Sequence, residues 1–295
     1  MFVEDIIKRH IKIGVIGSPG FPLPSGKYTK YAMNNNDDLE KLKSIGINAS
    51  GVGVNNFVWV EEGFRTNLFE IGFHDRTDNC IIIGSGFTLG GRIDFLCDRS
   101  TAFIGGGNVQ RITILCDGSD SIFYCGPNSY IGDMTCWIQG QQKTLAIGED
   151  CMFGWKIAIR TGDFHGMYDL TTKQILNPPE DTIVGPHVWL TNSIQIMKGI
   201  NIGSGAVVGA GSIITKNIAG SCLSAGSPAR VLRTNVGWSR DAIPSLEYMT
   251  ELGSRPYMVR TEGSNSNELI LSARRMNIFS AIKNFFLLKR GSKKI

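Results

Sequence analysis

The residues in this sequence best suited to proton transfer near neutral pH are its four histidines. His165 lies in the segment TGDFHGMYD, with the carboxylates of Asp163 and Asp169 close by along the chain. An imidazole changes its charge near neutral pH and can act as a general base, and a carboxylate on its other ring nitrogen would fix the tautomer and stabilise the imidazolium. The sequence leaves the choice between Asp163 and Asp169 open.

The other three histidines lack this context. His10 and His74 have no neighbouring groups that indicate chemistry. His187 is predicted to be a polar residue at the surface or at a subunit interface, rather than a catalytic one.

A six-residue period organises the chain around these residues. Neither an α-helix nor an ordinary strand has this period, so it predicts short strands joined by tight corners, stacked as triangular coils in which residues eighteen apart lie above one another. The aliphatic positions that carry the period are Val184, Leu190, Ile196, Ile202, Val208 and Ile214.

The same phase recurs upstream at Ile83 and Ile147, which predicts a β-helix over residues 51–234. The phase breaks between Ile159 and Val184, so residues 165–182 are predicted to form an extruded loop. Residues 1–50 are expected to cap the first coil, and residues 235–295 to form a basic, helical tail. The expected fold is mainly β.

Composition agrees with a turn-rich β protein. The 295 residues are 42% hydrophobic and only 19% charged, with 36 glycines and no collagen period. The net charge of +4 gathers near the C-terminal end and does not indicate nucleic-acid binding. The seven cysteines have no zinc-ligand or CxxC spacing, so we expect buried free thiols in a reducing compartment.

Residues 161–233 resemble the hexapeptide-repeat acyltransferases, a family of left-handed parallel β-helix enzymes. The branch in question contains galactoside, xenobiotic and polysaccharide O-acetyltransferases, including those that modify polysialic acid. The resemblance is carried by four motifs in the family's order: TGDFHGMYD, VGPHVWL, GAGSIITKNI and AGSPARVLR. It covers about a quarter of the chain strongly.

The resemblance implies roles for particular residues. His165 matches the catalytic base, and Trp189 matches the tryptophan that lines the thioester site. Asn192, Ala210, Thr215 and Lys216 match contacts to the pantetheine arm or the adenine, although the family has another residue in place of Asn192. Arg230 and Arg233 match partners of the nucleotide phosphates, which arginine can pair with in a bidentate manner.

The implied activity is direct transfer of an acetyl group from acetyl-CoA to a sugar hydroxyl, without a metal, in a homotrimer whose site needs two chains. The acceptor would be a bacterial surface polysaccharide or an oligosaccharide. Two alternatives stay open: an N-acetyltransferase for a nucleotide-linked amino sugar, and a non-catalytic β-helix scaffold. A γ-class carbonic anhydrase needs three histidines around zinc, and the four scattered ones do not have that spacing.

The N-terminus carries no predicted signal peptide, so a cytoplasmic protein is expected. The segment NIFSAIKNFFLLKRGSKKI reads as a basic amphipathic helix that packs on the body or contacts the inner face of the cytoplasmic membrane.

Overall fold

A computed structural model describes residues 15–66, 68–86 and 88–258, and short strands dominate it. The described residues hold two helices, α1 (Asn36–Ser44) and α2 (Leu246–Ser254). The predicted mainly β fold is confirmed. The strands are β1 (Tyr28–Ala32), β2 (Ile47–Ser50), β3 (Phe57–Glu61), β4 (Leu68–Gly72), β5 (Cys80–Ile83), β6 (Thr88–Phe95), β7 (Thr101–Ile104), β8 (Gly107–Asp117), β9 (Ile122–Cys125), β10 (Ser129–Gln139), β11 (Thr144–Ile147), β12 (Met152–Phe153), β13 (Ile157–Arg160), β14 (Thr182–Val184), β15 (Trp189–Leu190), β16 (Gln195–Ile196), β17 (Asn201–Ile202), β18 (Val207–Val208), β19 (Ile213–Ile214), β20 (Leu223–Gly226) and β21 (Ala229–Arg233).

The coils are triangular where the strands are shortest. Face A contains β3, β5, β7, β9, β11, β14 and β17; face B contains β12, β15 and β18; face C contains β13, β16 and β19. Further upstream, a single long strand serves two faces. β10 pairs with β12 through Tyr130 and Ile131, and with β13 through residues 134–137, so it bends across faces B and C.

The predicted eighteen-residue repeat is confirmed in the last coils, where Val184 pairs with Ile202 and Ile196 with Ile214. Upstream coils are larger: Cys125 lies between Ile104 and Ile147 in face A, which makes those turns twenty-one and twenty-two residues long. The extra residues lie in the longer strands and corners. Parallel pairing extends from β2 to β20, and we propose residues 51–234 as the β-helix domain.

The inward side chains of all coils form one continuous apolar core, in which Ile83, Ile147, Leu190 and Ile196 are fully buried. Burying such a ladder along the axis is the main stabilising contribution in a solenoid. All seven cysteines are buried and free, as predicted. Burial raises the pKa of the Cys80 thiol to about 12, so it is neutral near pH 7.

The N-terminal residues do more than cover the first coil. α1 buries Leu42 in the main core at that end. Residues 15–24, in contrast, pack along the outer side of face A, where Phe21 contacts a second apolar cluster that includes Tyr124. Tyr124 donates a hydrogen bond to the carbonyl of Pro22 at 2.7 Å. Face A is therefore covered on both sides.

The described chain ends in a segment that returns to the coils. β21 pairs with β20 in antiparallel fashion, and α2 follows. The predicted basic helix lies beyond residue 258, outside the described residues. None of the helices in the part that is described is long and apolar enough to cross a membrane.

Candidate active site

His165 lies on a loop that leaves the coil at the corner after face C. The loop occupies residues 161–181, between β13 and β14, and so begins four residues earlier than predicted. Its outer part is a small hairpin closed by an antiparallel bridge between Tyr168 and Ile175. The His165 side chain is exposed and makes no hydrogen bond to any described residue.

Asn177 holds the two legs of this loop together. Its amide nitrogen donates to the carbonyl of His165 at 2.9 Å and to Oδ2 of Asp163 at 3.1 Å, while its amide oxygen accepts from the backbone N–H of Met167 at 2.6 Å. The residue is 8% exposed. Two of these bonds fix the backbone at His165 and Met167, and the third holds the Asp163 carboxylate; they are expected to persist because a buried amide left without partners is costly. No pattern in the sequence indicates this role of Asn177.

The coils above and below the loop brace its base. Gln139, at the end of β10, accepts a hydrogen bond from the backbone N–H of Phe164. Lys198, one coil below, pairs with Asp163 at 3.3 Å and donates to the carbonyl of Pro178 at 2.9 Å. The imidazole is thus presented on a fixed backbone rather than on a free loop.

The two candidate carboxylates have different surroundings. Asp169 accepts hydrogen bonds from the backbone N–H groups of Thr171 and Thr172, both at 2.7 Å, and these bonds lower its pKa. This geometry closes the turn at the loop tip. Asp163 lies at the base of the loop, between Asn177 and Lys198. Asp163 thus lies at the base of the loop and Asp169 at its tip.

Trp189 lies on face B, half-buried on the outer side of the coil. Its ring contacts Trp238 with centroids 5.9 Å apart. Trp238 belongs to the segment that follows β21, and it stacks on His187 at 4.1 Å. The sequence gives no indication of the role of Trp238, because nothing in the hexapeptide pattern links a residue so far downstream to face B.

The prediction that His187 lies at the surface or at a subunit interface is wrong. The side chain is only 1% exposed within a single chain, because Trp238 covers it. Its Nδ1 lies 2.8 Å from Oδ2 of Asp150, and its Nε2 lies 3.2 Å from the carbonyl oxygen of Trp238. Both neighbouring oxygens are hydrogen-bond acceptors, so each faces a ring nitrogen that can donate.

Asp150 is the centre of this buried polar cluster. It also binds Arg240 at 2.7 Å and Arg255 at 2.9 Å, both from the C-terminal segment. Burial by itself would raise the pKa of Asp150, but hydrogen bonds from His187 and Arg240 outweigh it and lower the pKa to about 2. The cluster holds residues 238–255 against the coils and takes no part in the exposed site at His165.

Known proteins resemble this chain in sequence. No family model matches the chain. It is 30% identical over 154 residues to the polysialic acid O-acetyltransferase of Neisseria meningitidis, covering 50% of this chain and 68% of that protein. It is 38% identical over 96 residues to the polysialic acid O-acetyltransferase of Escherichia coli O1:K1 / APEC, a match to 32% of this chain and 31% of that enzyme.

The chain belongs to the hexapeptide-repeat acyltransferase family. Two solved structures agree in fold: the polysialic acid O-acetyltransferase OatWY, with a TM-score of 0.52, 25% identity and 68% of this chain covered, and the polySia-specific acetyltransferase NeuO, with 0.51, 26% and 62%. These cover 95% and 98% of those chains. The left-handed β-helix expected from the sequence is confirmed.

The residues that the family resemblance singles out lie on separate edges of the coil. His165, Thr215 and Lys216 lie at the corner after face C, whereas Asn192 and Ala210 lie at the corner after face B. Asn192 accepts a hydrogen bond from the backbone N–H of Trp155 at 2.8 Å, so its amide also joins two coils. Face B, which carries Trp189, is opposite the His165 corner. One chain does not bring His165 and Trp189 together.

Arg230 and Arg233 lie on β21, which extends the sheet of face B. Both side chains are exposed, and neither pairs with a carboxylate of the described residues. Unpaired, exposed cations suit the phosphates of a nucleotide. Within the described ranges, no group of three or more histidine, cysteine or acidic side chains is arranged to hold a metal ion.

Proposed function

We propose that this chain is an acetyl-CoA-dependent O-acetyltransferase that acts on a hydroxyl of a bacterial surface polysaccharide or oligosaccharide. The observation that carries the proposal is the exposed imidazole of His165 on a loop whose two legs are tied by Asn177. Family membership and the two polysialic acid O-acetyltransferases that match the chain support the same class of reaction.

His165 takes the proton from the acceptor hydroxyl as its oxygen attacks the thioester carbonyl of acetyl-CoA. The carbon–sulfur bond breaks, and the CoA sulfur leaves with the proton that the imidazolium returns. Asp163, placed at the loop base, is the carboxylate that would stabilise the imidazolium. Trp189 would shape the thioester site, and Arg230 and Arg233 would bind the phosphates. The contacts to the pantetheine arm or the adenine would come from Asn192, Ala210, Thr215 and Lys216.

The site is proposed to form between subunits of a homotrimer. The loop exposes six large apolar side chains, which is unusual for a projecting segment and typical of a surface that packs on another chain. They are Phe164, Met167, Tyr168, Leu170, Ile175 and Leu176, with between 46% and 76% of each exposed. A second copy would place its own face B against the loop and so complete the site.

The reaction and its base are tested by release of CoA thiol from acetyl-CoA across a panel of bacterial polysaccharides, oligosaccharides and nucleotide-linked amino sugars. We expect one glycan to stimulate release and His165→Ala to lower that stimulated rate by about 100-fold or more. Gln174→Ala, at the loop tip, is the matched control and should keep the native rate. Stimulation by the amino sugar alone would replace O- by N-acetylation, and a fully active His165→Ala would refute the assigned base.

The two-chain site is tested by mixing two weakened variants, His165→Ala and Trp189→Leu, after unfolding and refolding them together. If each site takes His165 from one subunit and Trp189 from the next, random mixing restores about a quarter of the sites. If both residues serve within one chain, mixing restores nothing. Light scattering on native protein measures the oligomer directly.

A further inference from the structure

Most arginines of the described chain are committed to carboxylates. Six of them make ion pairs: Arg76, Arg92, Arg99, Arg111, Arg240 and Arg255. Arg230 and Arg233, which the proposed function assigns to phosphates, have no carboxylate partner in the part of the chain that the structure describes. Arg65 and Arg160 also have none, and the proposed function gives neither a role; of the two, only Arg160 lies beside the loop that carries His165.

Arg160 is the last residue of β13 and faces outward from face C. It lies beside Trp137 of β10, its register partner, with the guanidinium carbon 5.4 Å from the centre of that ring. Its Nε is buried and makes no hydrogen bond to any described residue. A guanidinium beside an aromatic ring can still turn its two Nη groups outward, and such a pair suits bidentate binding of a carboxylate.

The Trp137–Arg160 pair lies at the base of the loop that carries His165. Trp137 precedes Gln139 by two residues on the same outer side of β10, a separation of about 7 Å along a strand. Gln139 in turn holds the backbone N–H of Phe164. A ligand group bound by Arg160 would therefore lie beside the end of β10 that holds the base of the His165 loop.

The nearby acids do not satisfy this cation. Asp163 pairs with Lys198 and accepts from Asn177. The outward neighbour of Trp137 on the next coil up is Leu115, which carries no charge. The outer sides of the other two faces are partly occupied, face A by residues 15–24 and face B by Trp238. The side chains of Trp137 and Arg160 on face C are each half-buried.

We propose that Arg160, oriented by Trp137, binds the carboxylate of an acidic sugar and so selects anionic glycans as acceptors. This inference rests on the proposed function and specifies its substrate class. Arg160 is the binding residue and Trp137 the positioning residue. The carboxylate fixes the sugar so that the hydroxyl to be acetylated faces His165.

The test compares two forms of one acceptor, polysialic acid and the same polymer with its carboxyl groups reduced to alcohols. For Arg160→Gln we expect KM for the acidic polymer to rise about 10- to 100-fold, the loss of one charge-assisted contact, with little change for the reduced polymer or for acetyl-CoA. Arg111→Gln, an outward arginine paired with Asp133, is the control and should leave all three values unchanged.

Three results for Arg160→Gln would overturn the proposal. KM could rise equally for both polymers. KM for acetyl-CoA could rise, which would assign Arg160 to a phosphate, or light scattering could show a smaller oligomer, which would assign it to a subunit contact. Trp137→Phe should keep the preference for the acidic polymer and Trp137→Leu should lose it. If native protein acetylates neither polymer, the proposed acceptor is wrong. The subsite is then tested separately by calorimetry: oligosialic acid should bind native protein more tightly than Arg160→Gln, and equal binding would refute the subsite.

Discussion

Replacing Asp150 by asparagine should weaken the attachment of the C-terminal segment to the coils and so lower the free energy of unfolding. The loss should be large near neutral pH and small in acid. The native carboxylate accepts from His187, Arg240 and Arg255 at 2.7 to 2.9 Å. Asparagine keeps the shape but removes the charge, which leaves three donors facing a neutral amide. Removing one member of a partly buried charge cluster is much costlier than removing an exposed ion pair.

The size of the charge contribution follows from the pKa of Asp150. The folded value of about 2 lies below the ordinary value of 3.8, and this difference at about 1.4 kcal/mol per unit gives roughly 2 kcal/mol. Because the folded pKa is lowered, this stabilisation is fully present above the unfolded value. It is lost as the pH falls from about 5 toward 2.

The measurement is the free energy of unfolding in urea at pH 6 and at pH 2.5, for native protein and Asp150→Asn. We expect the variant to be less stable by roughly 2 kcal/mol or more at pH 6, and this difference in stability to shrink by most of that amount at pH 2.5. Asp133→Asn breaks an ion pair whose Arg111 is 63% exposed and should cost less than about 1 kcal/mol. A gap of the same size at both pH values would refute the assignment of the lowered pKa to this cluster.

Three further predictions concern the loop, the cofactor and the corners. Asn177→Ala should lower kcat about 10-fold or more with little change in KM for acetyl-CoA, because the loop loses two hydrogen bonds to its backbone beside His165 and one to the Asp163 carboxylate; unchanged kcat would show that the loop holds its shape without them. Arg230→Gln should raise KM for acetyl-CoA about 10-fold but not KM for its 3′-dephospho analogue, and equal effects would move Arg230 away from the 3′-phosphate. Gly106→Ala should destabilise the protein by about 1–3 kcal/mol because a Cβ there overlaps the carbonyl oxygen of Ser85, whereas Gly166→Ala meets open space and should be neutral in the same urea titration.

The coils that could be predicted are those in which each side of the triangle contributes one inward aliphatic residue. Val184, Ile202 and their neighbours keep the period because both strands and corners there have minimal length. Upstream, β8 and β10 have eleven residues each, so the inward positions alternate by two along one bent strand and the period of six fades. The eighteen-residue repeat therefore describes only the last coils.

The covering of face A on its outer side is visible in the sequence of its strands. The strands CIII and IFYC are apolar at every position and buried throughout, whereas a strand with one side in solvent alternates. Such runs indicate burial on both sides and require a segment outside the sheet. Residues 15–24 supply it.

The His165 loop was predictable because the motif and the break in period lie together in the sequence. Asn177 and the Asp150 cluster were not, for two reasons. Two of the groups that Asn177 binds are backbone groups, ten and twelve residues away, which no side-chain pattern records. Asp150 meets its partners ninety and 105 residues downstream, after the repeat has ended.

The triangular cross-section constrains where a complete site can form. Corner and opposite face are held apart by the packed core, so no motion short of unfolding the coil brings His165 to the Trp189 side of its own chain. The loop instead extends outward and exposes apolar side chains such as Leu170, 76% of which is exposed. A second copy that buries this surface would gain apolar contact and, at the same time, bring its own face B to the imidazole. Assembly and activity should therefore be lost together in any variant that disrupts the apolar side of the loop and leaves Asn177 intact.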